Sequence, residues 1–238
     1  MKKRAFTLAE VLITLGIIGV VSALTIPTLV KRNTNETHVQ QLKKVYATLS
    51  EAAETAMAEN NVADLSETQL GVNLNASVAV NKAAVKNFFN TYFKVAIDCD
   101  SKPVPCFASS YKGLDGGDSI LHNLDNTNLP SGNCVSLADG AAICVPYGGM
   151  YSRSALWGDN YPTWHPWVYV WVDVNGPKGP NIIGRDLFSF NLYSDGKIAE
   201  SYLLYPDKIE SDFEDKCQAG SYGGCFSKIV LDGWKMDY

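Results

Sequence analysis

Six cysteines, Cys99, Cys106, Cys134, Cys144, Cys217 and Cys225, carry the most evident chemistry in this chain. They fall into three near-neighbour pairs. None has the Cys-x2-4-Cys spacing of a zinc site, and His38, His122 and His165 are scattered. Thiols placed this way form disulfides once a chain leaves the reducing cytoplasm. Six cysteines allow fifteen pairings. Sequential pairing is expected, because each pair spans one loop or hairpin. Loops this short stabilise by roughly 2 to 3 kcal/mol each in the chain-entropy account.

A second cluster, Asp173, Asn175, Asn181 and Asp186, offers oxygen ligands of the kind calcium takes. Its spacing is not that of an EF-hand loop, Lys178 brings a positive charge into it, and turn-forming Asx and Gly residues account for the same pattern. No cofactor is therefore expected, with calcium at Asp173, Asn175 and Asp186 as the alternative. Gly-x-Ser-x-Gly, phosphate-binding Gly-x4-Gly-Lys-Ser/Thr and His-Glu-x2-His are all absent, so no enzyme is expected. Four Tyr and four Trp lie between Tyr147 and Trp171. They read first as core packing. Trp157 and Trp164, set among Gly158, Asp159, Asn160 and Pro162, are the candidates for exposed contacts with a ligand.

The remaining chemistry is one charge in the wrong place. After Met1-Lys2-Lys3-Arg4-Ala5 the chain runs from Phe6 to Val30 with Glu10 as its only charge. As a helix this run spans roughly 38 Å, enough to cross a hydrocarbon core of about 30 Å. The basic cluster ahead of it keeps the amino terminus cytoplasmic and exports the body. A plain anchor, or a secretory signal cut after Val21-Ser22-Ala23, gives no reason for Glu10. A carboxylate costs on the order of 2 to 3 kcal/mol at mid-membrane and less near the interface.

The segment Arg4-Ala5-Phe6-Thr7-Leu8-Ala9-Glu10-Val11-Leu12-Ile13 closely resembles the cleavage and methylation motif of type IV prepilins and type II secretion pseudopilins. The resemblance implies cleavage between Ala5 and Phe6 by a prepilin peptidase, methylation of the Phe6 amine, and an assembly role for Glu10 as fifth residue of the mature chain. Pro27 sits where many members carry a helix-bending proline. Ala5 departs from the usual Gly before the cut. Two later stretches, Val172 to Asn181 with Gly184 to Phe188, and Cys225 to Val230 with Asp232-Gly233-Trp234-Lys235, resemble pseudopilin-like heads more loosely.

Positioning these residues requires a rod and a head. From Asn33 to Asn60, Val39, Leu42, Val45, Tyr46, Leu49, Ala52, Ala53, Ala56 and Met57 recur at helical spacing, continuing the membrane segment through a bend at Pro27. Ala83 to Ala96 reads as a second helix, and Cys99 to Pro130 as loops. The period then becomes two. Cys134 to Leu137 and Ala141 to Val145 flank Ala138-Asp139-Gly140 as a hairpin, and Trp167 to Asp173, Leu187 to Tyr193 and Lys197 to Leu204 read as strands. The expected class is α+β, a long helix packed on an antiparallel sheet head, pilin-like. The expected divisions are a leader at 1–5, a transmembrane and filament-core helix at 6–30, its amphipathic continuation at 31–60, and a disulfide-bonded head at 61–238.

The chain has 238 residues, 46% hydrophobic and 19% charged, with a net charge of −5 that grows more negative without Lys2, Lys3 and Arg4. That excludes a disordered chain and disfavours a nucleic-acid partner. The expected function is a structural subunit of a type II secretion pseudopilus or type IV pilus. The alternative is a minor or tip pilin acting as an adhesin or as a ligand- or DNA-binding module. Expected partners are the prepilin peptidase, other pilin or pseudopilin subunits and an inner-membrane assembly platform. The location would be the bacterial inner membrane, single-pass with the head exported, and a filament after assembly.

Overall fold

The computed structural model describes residues 7–71, 76–150, 167–200 and 206–238. A single helix, α1, runs from Leu8 to Asn60 and passes unbroken through Pro27. Its apolar pattern changes character along its length. No residue of α1 before Asn35 is buried; from there Asn35, His38, Val39, Leu42, Val45, Leu49, Ala52, Ala53 and Ala56 form one buried stripe. That stripe is the amphipathic face that helical periodicity predicts. Asn61, in the left-handed conformation, ends the helix with its N–H on the Ala58 and Met57 carbonyls.

The second helix, α2, covers Val78–Tyr92. It starts earlier than the apolar pattern suggests because Ser77 caps it, its hydroxyl accepting the Val80 N–H at 3.3 Å. It also stops earlier, because Val95–Asp100 forms an edge strand, β1, rather than helix and loop. The sheet continues with β2 (Asn133–Leu137), β3 (Ala142–Val145), β4 (Trp167–Asp173), β5 (Leu187–Tyr193) and β6 (Ile198–Ala199). All neighbours are antiparallel and the spatial order follows the chain. Among the described residues, the strand expected over Lys197 to Leu204 is reduced to Ile198–Ala199.

Register sorts the side chains into rows. Val135, Ile143, Val172 and Phe188 face one another across β2 to β5 and are all fully buried. Cys134, Cys144, Trp171 and Ser189 form the alternate row. The α1 stripe and the Val135 row belong to one hydrophobic cluster. Lys82 and Lys86 of α2 pair with Asp100 and Asp98 of β1 at 2.6 and 2.7 Å, and β1 has two register shifts. A charged, bulged edge of this kind resists pairing with another sheet.

Two short helices that the apolar periodicity does not reveal close the chain, α3 (Pro206–Asp212) and α4 (Cys225–Leu231). Trp234, after α4, lies edge-on to Tyr46 of α1 with ring centres 5.4 Å apart, so the tail returns to the rod.

Candidate functional site

The candidate site is the exposed amino-terminal half of α1 and its junction with the head. Along residues 8–30 the large apolar side chains are exposed, from Leu8 at 77% to Val30 at 58%. Exposure on this scale over so long an apolar run is unfavourable in water and requires lipid or other helices around it. Threonine hydroxyls inside the run are satisfied within the helix. Thr14 and Thr25 donate their hydroxyls to the Glu10 and Val21 carbonyls at 3.0 and 2.9 Å, as a helix in hydrocarbon requires.

At the start of the helix Thr7 and Glu10 form a capping box. The Thr7 N–H and hydroxyl donate to Glu10 Oε2 at 2.8 and 2.9 Å, and the Glu10 N–H donates to Thr7 Oγ1 at 3.3 Å. The carboxylate stands at the positive end of the helix dipole, where a negative charge is favoured. Ala5 and Phe6, the expected cleavage and methylation residues, lie outside the described residues.

The junction forms where the buried stripe begins. Arg185, on the loop between β4 and β5, donates to Asn35 Oδ1 at 3.0 Å and to the Tyr238 carbonyl at 3.3 Å. Asn35 in turn donates to the Met236 carbonyl at 2.9 Å. One guanidinium thus ties rod, sheet loop and tail together. His38, one turn along and buried, is held below the usual histidine range by burial and by the Arg185 charge, against a hydrogen bond to the Arg185 backbone.

Residues 1–26 match the prokaryotic N-terminal methylation motif. The chain carries a type IV pilin-like prepilin motif. No curated protein and no solved structure matches the chain. In the prepilin motif Thr7 caps and Glu10 lies in the first turn of a helix in which no residue before Asn35 is buried. The motif therefore coincides with the part of the molecule that needs a partner, and it supports membrane anchoring.

Beyond the prepilin motif, the six cysteines join as Cys99–Cys106, Cys134–Cys144 and Cys217–Cys225, with sulfurs 2.02, 1.98 and 2.05 Å apart. They clamp β1 to the loop after it, β2 to β3, and the π-helical stretch Phe213–Cys217 that follows α3 to α4.

Asp173, Asn175, Asn181 and Asp186 are brought together by the loop between β4 and β5, and each carboxylate oxygen accepts a hydrogen bond from this chain. Asp173 accepts the Tyr111 hydroxyl and the Asn175 N–H. Asp186 accepts the Asn181 and Ile182 N–H groups at 2.6 and 2.7 Å. Among the described residues no three acidic, histidine or cysteine side chains converge as metal ligands. The cluster pins turns. Burial pushes the Asp173 carboxyl well above the carboxylate range, helped by the Asp186 charge, and pushes Asp186 up to about 6.

Among the aromatic contact candidates, Trp157 and Trp164 lie outside the described residues. Trp171 is buried, stacked on Tyr222 at 5.8 Å.

Sequence reasoning missed Thr7, Arg185 and Glu200. Thr7-x-x-Glu10 is a readable capping-box pattern. Arg185 and Glu200 act over long sequence separations and leave no local signal. Glu200 accepts the Phe226 and Ser227 N–H groups at 3.2 and 2.9 Å, capping α4 from a distance. Burial raises its carboxyl to about 7, against those hydrogen bonds.

Proposed function

We propose that this chain is a structural subunit of a type II secretion pseudopilus or a type IV pilus. A prepilin peptidase cuts between Ala5 and Phe6, removing residues 1–5, and methylates the Phe6 amine. Residues 6–30 hold the subunit in the inner membrane with the head exported. The same helix then packs among the helices of other subunits as an inner-membrane platform drives assembly, while residues 31–60 carry the disulfide-bonded head at 61–238.

The observation that supports this reading is the coincidence of the prepilin motif with the bare half of α1. A helix that is apolar and exposed for its first half, and buried on one face thereafter, has two successive surroundings to satisfy. Lipid serves before assembly and neighbouring helices serve after it. Its work is mechanical, and the head presents the outer surface.

Cells with and without the prepilin peptidase test this. With the enzyme, the chain should appear in the shear-released filament fraction. Without it, the chain should remain in the inner-membrane fraction at full precursor length. Release into the medium as a free soluble head in both strains would contradict the assembly reading.

A further inference from the structure

His38 is the one histidine of the buried α1 stripe, 5% exposed, in the turn where rod, sheet loop and tail meet. Its Nδ1 is buried without a hydrogen-bond partner, which leaves the other ring nitrogen for the Arg185 carbonyl. A neutral imidazole, with one N–H and one lone pair, suits this setting. A second proton on Nδ1 would be a buried donor with no acceptor, on a ring turned cation. The charged groups on the elements packed here are engaged elsewhere or stand in solvent. On α1, Glu36 pairs with Arg32 at 2.9 Å, Lys44 with Asp139 at 2.8 Å, and Lys43 lies 5.5 Å from the centre of the Trp234 ring. In the sheet loop the Asp186 carboxylate takes the Asn181 and Ile182 N–H groups. In the tail Lys235 and Asp237 are exposed, and the Tyr238 hydroxyl donates to the Gly184 carbonyl at 2.7 Å. The Arg185 guanidinium is the charge that bears on the ring, and it opposes a second positive charge.

We propose that His38 is a proton-operated latch: a second proton on its ring frees the first buried turn of α1 from the Arg185 loop and the tail, while the stripe from Val39 onward keeps its hold on the head. Nδ1 is sealed from solvent in the closed junction. Hydrating the new charge therefore means parting the bonds that close it, Arg185 to Asn35 at 3.0 Å and Asn35 to the Met236 carbonyl at 2.9 Å. Opening adds one turn, roughly 5.4 Å, of bare rod below the head and lets the head tilt on it. A histidine depressed in the fold supports the closed junction above 6.5 and loses that support as pH falls. Asp186 and Glu200, raised in the fold, gain on acidification, so they do not account for a loss at the junction. The latch belongs to the folded head and goes beyond the filament reading, which stands or falls separately.

The test is hydrogen–deuterium exchange by mass spectrometry on the full chain in detergent micelles, at about pH 5 and about pH 7.5, with labelling times scaled to the intrinsic amide rate. Protection in α1 over 33–39 and in the tail over 234–238 should fall at the lower pH, while protection over 49–56 holds. The fall should reach up to about tenfold for each unit that the His38 midpoint lies below 6.5. His38→Gln keeps a donor for the Arg185 carbonyl without a titrating ring, and its junction should be equally protected at both pH values. Exchange at the histidine C2 position reads the His38 midpoint in the wild type, so the proposal is tested even where the variant fails to fold. A midpoint at or above 6.5 overturns it. So does a wild-type junction equally protected at both pH values, or the same acid loss in His38→Gln. An acid loss spread evenly over the head overturns it too, since the stripe from Val39 onward would then have let go.

Discussion

Thr7 and Glu10 satisfy one another: the threonine N–H and hydroxyl both donate to the Glu10 carboxylate, and the glutamate N–H donates back. In a single chain the lone charge of the apolar run is therefore already at rest as a helix cap. An intersubunit role, in which Glu10 meets the charged Phe6 amine of a neighbour, requires the carboxylate to be shared with or transferred from Thr7. The two roles separate by mutation. Glu10→Val should insert in the membrane and be cleaved, yet enter filaments poorly beside wild-type subunits. Thr7→Val removes the cap, worth about 1 kcal/mol of helix end, while leaving the carboxylate for a neighbour, and should assemble nearly as well as wild type. Equal defects in the two variants, read from the shear-released fraction, would reduce Glu10 to a cap.

Arg185 is the only described side chain that bonds the rod at Asn35 and the tail at Tyr238 together. Arg185→Ala leaves Asn35 Oδ1 without its donor in a buried site, a loss of about 2 kcal/mol. Urea unfolding should show that loss, and hydrogen exchange should quicken in α1 near Asn35 and in the tail. A variant with wild-type midpoint and exchange would show that the junction does not depend on the guanidinium.

Much of this fold is legible in the chain. The α1 stripe from Val39 to Ala56, the β2–β3 hairpin and the bounds of β4 and β5 follow from apolar period and turn residues, because those elements each bury one face against a single core. The start of α2 depends on one capping serine, and β1 is an edge strand carrying Asp98 and Asp100 whose partner is distant. α3 and α4 are short, and α4 is capped by Glu200, which no local pattern connects to Ser227. The prepilin motif is readable because its chemistry is contiguous. The junction is not, since Asn35, Arg185 and Met236 meet only after folding.

The Cys217–Cys225 bridge anchors the approach to α4, whose Phe226 ring lies 6.0 Å from Trp234. Cys217→Ser with Cys225→Ser should lower stability by about 2 to 3 kcal/mol. Exchange should rise first in 225–236, and Trp234 should become accessible to a collisional quencher. Unchanged protection in that segment would mean aromatic packing alone holds the tail.

Glu200 and Asp186 have carboxyls raised to about 7 and about 6 in the folded head. A raised carboxyl binds its proton more tightly folded than unfolded, so its contribution is greatest at acid pH and is lost as pH rises through the folded value. For Glu200 the window runs from about 4.5 to about 7. His38, depressed in the fold, works the other way: its contribution is present above 6.5 and is lost as pH falls. The diagnostic is therefore the difference between variants. Melting of Glu200→Gln should depend less on pH between 5 and 8 than wild type, the wild type gaining more on acidification. Parallel pH profiles would contradict the raised Glu200 carboxyl.

The central claim is that this chain enters the membrane as a prepilin and leaves its leader behind. Intact-mass and amino-terminal analysis of the protein taken from its own membrane tests it most directly. The account predicts a mature chain beginning at Phe6 with one methyl group on its amine. A mature chain beginning at Leu24, or an uncut precursor in cells whose prepilin peptidase is active, would contradict it.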